Sequence, residues 1–208
     1  MQPSRRRETG ERTLARSDGP PEIGYFGRRR AEPGPHTAAL RLDPLQIEIA
    51  GLGREQADLL LERYRPYSAD RANGSGALRV RVGLDDRDYF IDPPAGVELV
   101  QVRIACDTDR VRYASYQAAG WFEFLGGRGE LLLARGRWEP LYRSFENYVR
   151  AAVAWQAASR GGALVHAASA VWNGRAYLFY GESGAGKSTL SACNRRARVV
   201  SDDLSLVL

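Results

Sequence analysis

The residues whose types and spacing most clearly suit chemistry are Gly181, Glu182, Ser183, Gly184, Ala185, Gly186, Lys187, Ser188 and Thr189. The first eight read G-E-S-G-A-G-K-S, which fits the phosphate-loop pattern G-x-x-x-x-G-K-[ST]. Glycines at 181, 184 and 186 let the backbone curl until successive N–H groups face inward. That makes a nest for phosphate oxygens, closed by the partial positive charge of a helix N-terminus. Ser188 offers its hydroxyl to Mg²⁺, and Lys187 reaches the β- and γ-phosphates of a nucleotide. Of the 30 Lys and Arg residues, Lys187 alone is lysine. A compact ammonium on a slim stem fits a narrow loop where arginine's planar fork does not. One lysine is therefore retained in a chain that otherwise uses arginine. Glu182 reads as a solvated loop residue. The alternative, a glycine-rich turn with no ligand, fits the motif, its setting and the lone lysine poorly.

Two further groups carry chemistry at a suitable distance. Asp202 and Asp203 end the apolar run "ARVVSDD", and His166 stands fifteen residues before Gly181. From residue type alone, a strand histidine is also at home in a core, and an Asp pair at a strand end is also a solvated turn. The elements that would position these groups are short. "RAYLFY" reads as a buried strand entering the loop, and "STLSACNRRA" as the helix leaving it. "ALVHAASAVW" reads as a strand joined to "RAYLFY" through an Asn-Gly type I′ turn. Upstream, "EPLYRSFENYVRAAVAWQAASR" places Leu141, Phe145, Tyr148, Val149, Ala152 and Trp155 on one helical face, closed by Gly161 and Gly162.

Residues 39–136 read as a small α+β module. "LQIEIAG" and "ALRVRVGL" alternate as half-buried strands, "REQADLLLERY" has helical spacing, and "DYFI", "VELVQVRIA" and "DRVRYASY" follow as short strands. "WFEFLGGRGELLLAR" reads as a hairpin turning at residues 126–129. Residues 1–38 read as a disordered Arg/Pro/Gly-rich arm. Residues 1–37 contain eight arginines and five acids, so they hold +3 of the chain's net charge of +5. Concentration of the excess in one arm without interleaved aromatics argues against sequence-specific nucleic-acid binding. No apolar run approaches the ~18 residues needed to cross a bilayer, and no secretory h-region opens the chain. Cys106 and Cys193 form no CxxC pair and read as reduced thiols. These features predict a cytoplasmic protein with no membrane partner.

The stretch "HAASAVWNGRAYLFYGESGAGKSTLSA", followed by "RVVSDDLSLV", resembles the HPr kinase/phosphorylase family and its HPr-kinase-like relatives. Their catalytic domain is related in fold to phosphoenolpyruvate carboxykinase. The resemblance covers about residues 161–208, and more loosely the helix before them. It implies an α/β P-loop core over residues 137–208, incomplete and preceded by the α+β module. It also implies ATP and Mg²⁺ as cofactors and transfer of the γ-phosphoryl to a hydroxyl acceptor: a serine of a protein or peptide, or a small molecule. In the roles it implies, one of Asp202 and Asp203 holds Mg²⁺ through Ser188 and water. The other orients the attacking hydroxyl and accepts its proton, and His166 sits near the γ-phosphate.

The chain departs from the family by ending at Leu208, where the family's later strands and substrate loops would follow. A C-terminally truncated protein is therefore expected. Such a protein would hold nucleotide, transfer phosphoryl groups poorly and self-associate through apolar surface. Phosphorylase activity is not carried over. The rivals are a nucleotide-binding regulatory or scaffold protein without transferase activity, and an inactive remnant.

Overall fold

The computed structural model describes residues 19–28, 31–72, 76–94, 102–125, 127–136, 141–182, 184–187, 189, 193 and 196–208. The alternating segment 36–52 forms an antiparallel hairpin, β1 (His36–Leu42) and β2 (Leu45–Leu52), whose apolar positions face inward. The helix α2 (Arg54–Arg63) then carries the chain across one sheet face, through a 3₁₀ turn and the short β3 (Ser68–Ala69), to β4 (Leu78–Leu84). β4 lies parallel to β2, as a helical crossover allows. Next come β5 (Arg103–Cys106), β6 (Arg110–Ala114), β7 (Ala118–Glu123) and β8 (Gly127–Leu133), the last three each pairing antiparallel with the strand before. β8 closes against β4 in parallel, which gives an eight-stranded mixed sheet of order β3-β1-β2-β4-β8-β7-β6-β5.

The helix α3 (Leu141–Ala158) lies on the same face as α2, and the main core fills the space between these helices and the sheet. Phe145, Tyr148, Val149 and Ala152 of its apolar face are buried, and Trp155 packs on their edge. Tyr148 fixes the helix to the sheet. Its hydroxyl donates to the Trp121 carbonyl at 2.8 Å, and its ring meets Tyr113 and Phe122 edge to face. The ring fits because Gly120 and Gly129 lie beneath it. A β-carbon at Gly120 would stand 2.7 Å from the ring, and one at Gly129 would stand 2.6 Å from the hydroxyl.

The remaining strands form two small sheets. β10 (Ala168–Trp172) lies between β11 (Arg175–Phe179) and β12 (Arg198–Ser201), antiparallel to both. β9 (Ala163–His166) pairs with β13 (Leu204–Val207). Leu164 of β9 and Leu206 of β13 pack against the main core.

The expected α/β P-loop core is therefore corrected: the architecture is mostly β, dominated by the mixed eight-stranded sheet. Short alternating strands broken by Gly, Asp and Pro pair with sequence neighbours. β11 enters the loop from a hairpin turned at Asn173 and Gly174, both with positive φ. It lies at the edge of its sheet, and Tyr177 and Leu178 are exposed, so it is not the buried strand expected. Ala167 divides the single strand expected at 163–172 into β9 and β10, which serve different sheets. "DYFI" is no strand. Tyr89, Phe90 and Ile91 pack as side chains on the second face of the large sheet, beside Tyr116 and Leu132. The hairpin turn comes earlier than expected, since β8 already begins at Gly127.

Part of the expected arm is also ordered. The helix α1 (Ile23–Phe26) buries Phe26 on that second face. Arg112 holds the segment by donating to the carbonyls of Pro20 and Pro21 and to Glu22, while Asp107 grips the same guanidinium. The Tyr25 hydroxyl donates to Asp85, and Arg87 lies over the Tyr25 and Phe90 rings. Composition concealed these anchors because they join residues about 60–90 positions apart. Residues 1–18 lie outside the described residues.

Candidate functional site

Strand register brings the three chemical features to one end of the small sheets. β11 ends with Phe179 opposite Ala168, and β12 ends with Ser201 opposite Ser169. Both run antiparallel to β10, so the chain leaves each of them at the end where β10 begins. After β11 comes the glycine loop, and after β12 come Asp202 and Asp203. His166, two residues before β10, pairs in register with Leu204, next to Asp203.

In the loop, Gly184 and Gly186 have φ of 82° and 83°, conformations that suit glycine. Lys187 Nζ donates to the carbonyl oxygens of Gly181 at 2.8 Å and Glu182 at 2.9 Å, and the Ala185 N–H donates to the Glu182 carbonyl. The lysine thus closes the loop onto itself. Glu182 is exposed, in keeping with a solvated residue, and Thr189 is exposed in a helical conformation. Ser183 and Ser188 lie outside the described residues.

Asp203 belongs to a chain of charges. One carboxylate oxygen stands 3.1 Å from His166 Nε2 and the other 3.4 Å from the Arg150 guanidinium. Arg150 also bonds Glu146 at 2.5 Å, one helical turn away on α3, and Arg63 of α2 reaches Glu146 at 3.1 Å. Asp202 is exposed at the turn between β12 and β13. The site therefore joins His166 to Asp203 directly. The hydrogen bonds of Lys187 stay within its own loop, so Lys187 meets the aspartates only at the level of the sheet end.

The donor set bears on Mg²⁺. One oxygen of Asp203 meets His166 and the other the Arg150 guanidinium, so the carboxylate is already oriented from two sides. Among the described residues no three His, Cys, Asp or Glu side chains gather into a metal cage. An ion here would share its ligands with phosphate oxygens, the usual arrangement for Mg²⁺.

Beside Asp203 lies a cavity of about 560 Å³. Its walls come from the β1–β2 turn, the end of α2, α3 and the β12–β13 segment, and are chiefly apolar. Tyr64 forms part of one wall. Burial, followed by the nearby Glu146 carboxylate, pushes its phenol up to about 12. Arg150, Glu146 and Tyr64 were missed from sequence. The Glu146–Arg150 spacing of i,i+4 on a helix was the available signal for two of them.

No protein-family model matches the chain, and no curated protein matches it.

Proposed function

We propose that the chain binds Mg·ATP at residues 181–189 and transfers the γ-phosphoryl to a hydroxyl, in the manner of the HPr-kinase-like proteins it resembles. The observation that carries this reading is a glycine loop, closed by the only lysine, opening at the same sheet end as the Asp202–Asp203 turn and His166. Loop N–H groups and Lys187 hold the β- and γ-phosphates. Mg²⁺, when bound, neutralises charge on those oxygens, and one aspartate holds it together with Ser188. The other aspartate orients the acceptor and takes its proton.

A second reading, a nucleotide-binding regulatory protein without transfer, draws support from Asp203 itself. Arg150 and His166 already face both its oxygens, which weakens it as a base.

The discriminating experiment supplies ATP labelled at the γ-phosphate, Mg²⁺ and cell extract as the acceptor pool. A transferase labels a discrete acceptor, and Asp202→Asn and Asp203→Asn each abolish the label. Nucleotide binding with no label in any acceptor favours the regulatory protein. Among the described residues no helix is long and apolar enough to cross a membrane. We assign the chain to the cytoplasm, with Cys106 and Cys193 as free thiols.

A further inference from the structure

We infer that the cavity between α3, the end of α2 and the β12–β13 turn is the acceptor site, built for an uncharged, mainly apolar alcohol whose hydroxyl meets Asp203. The role as acceptor site rests on the phosphoryl transfer proposed above. The cavity as a binding site stands on its own geometry.

Size and lining define the ligand class. A space of about 560 Å³ suits a small molecule. Val149 and Val153 of α3 line it together with Leu164 and Leu206, so the body of the ligand meets aliphatic surface. The charged residues in the lining are already matched. Arg41 pairs with Asp43 at 2.8 Å, and Arg150 lies between Glu146 and Asp203. An anionic ligand would therefore bring a charge that each cation among the described lining residues meets only by leaving its present partner, together with its desolvation cost. The serine hydroxyls are engaged as well. Ser201 donates to the Leu204 carbonyl, and Ser205 bonds the Ala167 carbonyl and Ser169. Among the described lining residues, the polar groups that can address a ligand are the Tyr64 and Tyr67 phenols and the Asp203 carboxylate, whose oxygens keep acceptor capacity beyond their contacts with His166 and Arg150. With its pKa at about 12, the Tyr64 phenol stays a hydrogen-bond donor at neutral pH.

The cavity also divides the labour of the Asp pair. Asp203 lines it and Asp202 does not. Asp203 is therefore the acceptor-side residue, and Asp202 is left to the metal side. In the transfer step the alcohol oxygen forms a bond to the γ-phosphorus as the bond from that phosphorus to the bridging oxygen breaks. ADP leaves with that electron pair, and the hydroxyl proton passes to the Asp203 carboxylate.

The test uses the full chain, with benzyl alcohol as the probe and 4-(hydroxymethyl)benzoate as its anionic match, followed by ligand-observed NMR. Benzyl alcohol is expected to bind, and the benzoate at least about tenfold more weakly. Leu164→Phe and Val200→Trp fill the cavity from two sides and are each expected to weaken benzyl alcohol at least about tenfold. Val200 is 55% exposed, so the larger side chain there leaves the fold intact, which a circular dichroism melt verifies. Lys187→Ala is expected to leave alcohol binding unchanged. Failure of the wild type to bind benzyl alcohol, equal binding of the benzoate, or indifference to both filling variants overturns the cavity as a binding site.

With Mg·ATP added, phosphorus NMR is expected to show benzyl phosphate. Its absence while both alcohol and nucleotide bind overturns the acceptor role. Loss of nucleotide binding with alcohol binding intact instead removes the phosphoryl-transfer reading and leaves the binding site standing.

Discussion

His166 Nε2 and a carboxylate oxygen of Asp203 stand 3.1 Å apart, joined by the β9–β13 pairing that sets His166 opposite Leu204. The side chains are 67% and 56% exposed, so their attraction is largely screened by water and adds little to stability. Its consequence is positional: the histidine fixes where the carboxylate points. Asp203→Asn is therefore expected to change unfolding free energy by less than about 1 kcal/mol. The same substitution is expected to lower phosphoryl transfer by about 10²–10⁴-fold, the usual worth of a positioned general base. Urea unfolding run beside a transfer assay separates the two. A large stability loss with transfer retained would make Asp203 a structural residue.

Gly120 is expected to be among the least replaceable residues of the large sheet. A β-carbon there would stand 2.5 Å from the Glu130 carbonyl oxygen and 2.7 Å from the Tyr148 ring. Neither neighbour is a flexible chain end. Gly120→Ala is expected to destabilise the fold by about 1–3 kcal/mol, the range for overpacking. Tyr148→Phe, which removes only the bond to Trp121, is expected to lose about 1 kcal/mol. Denaturant melts of both variants check the order.

Alkaline pH is expected to weaken the fold through two phenols. Burial raises the Tyr148 phenol well above its ordinary value, and burial with Glu146 raises Tyr64 from 10.0 to about 12. A raised folded pKa means that the unfolded chain loses these protons first. Their contribution is intact below pH 10 and declines as pH rises through the folded values. For Tyr64 the window is pH 10 to 12, and the loss across it is about 2 kcal/mol. Stability measured across that window is expected to fall less steeply in Tyr64→Phe. An unchanged slope contradicts the assignment.

The N-terminal segment is expected to divide functionally near residue 19. Removing residues 1–18 takes away a basic stretch and no described anchor. Any salt-sensitive retention on DNA is expected to disappear with it, while the melting temperature holds. Removing residues 1–27 also takes Phe26, only 2% exposed, and the partners of Arg112. That deletion is expected to destabilise the fold by about 3–5 kcal/mol, as loss of a buried Phe does. Tight DNA binding that survives the shorter deletion would contradict the expectation of no sequence-specific nucleic-acid partner.

The features legible in the sequence were local. The glycine loop and Lys187 announce themselves through residue type and spacing. The buried face of α3 follows from helical period, and the Asn173–Gly174 turn from the positive φ that both residues tolerate. The pairing pattern was harder to read, because apolar alternation does not say which strand lies beside which. Nothing in "ALVHAASAVW" marks Ala167 as the point where one strand leaves β13 and the next joins β12. The cavity was not legible at all. Its walls come from residues near 41, 64, 149 and 200, which only the folded sheet and helices bring together. The same holds for Tyr25 on Asp85, whose partners lie 60 residues apart.

The central claim is that residues 181–189 hold the phosphates of a nucleotide, and calorimetric titration of Mg·ATP tests it most directly. The wild-type chain is expected to bind one equivalent. Lys187→Ala is expected to lose at least about tenfold in affinity, since a charge-assisted contact to phosphate disappears. Lys187→Arg is expected to bind poorly as well, because a planar fork does not place a compact charge where the ammonium sits, beside the Gly181 and Glu182 carbonyls. Equal affinity in the wild type and both variants, or no binding in the wild type, would contradict the claim and with it the proposed function.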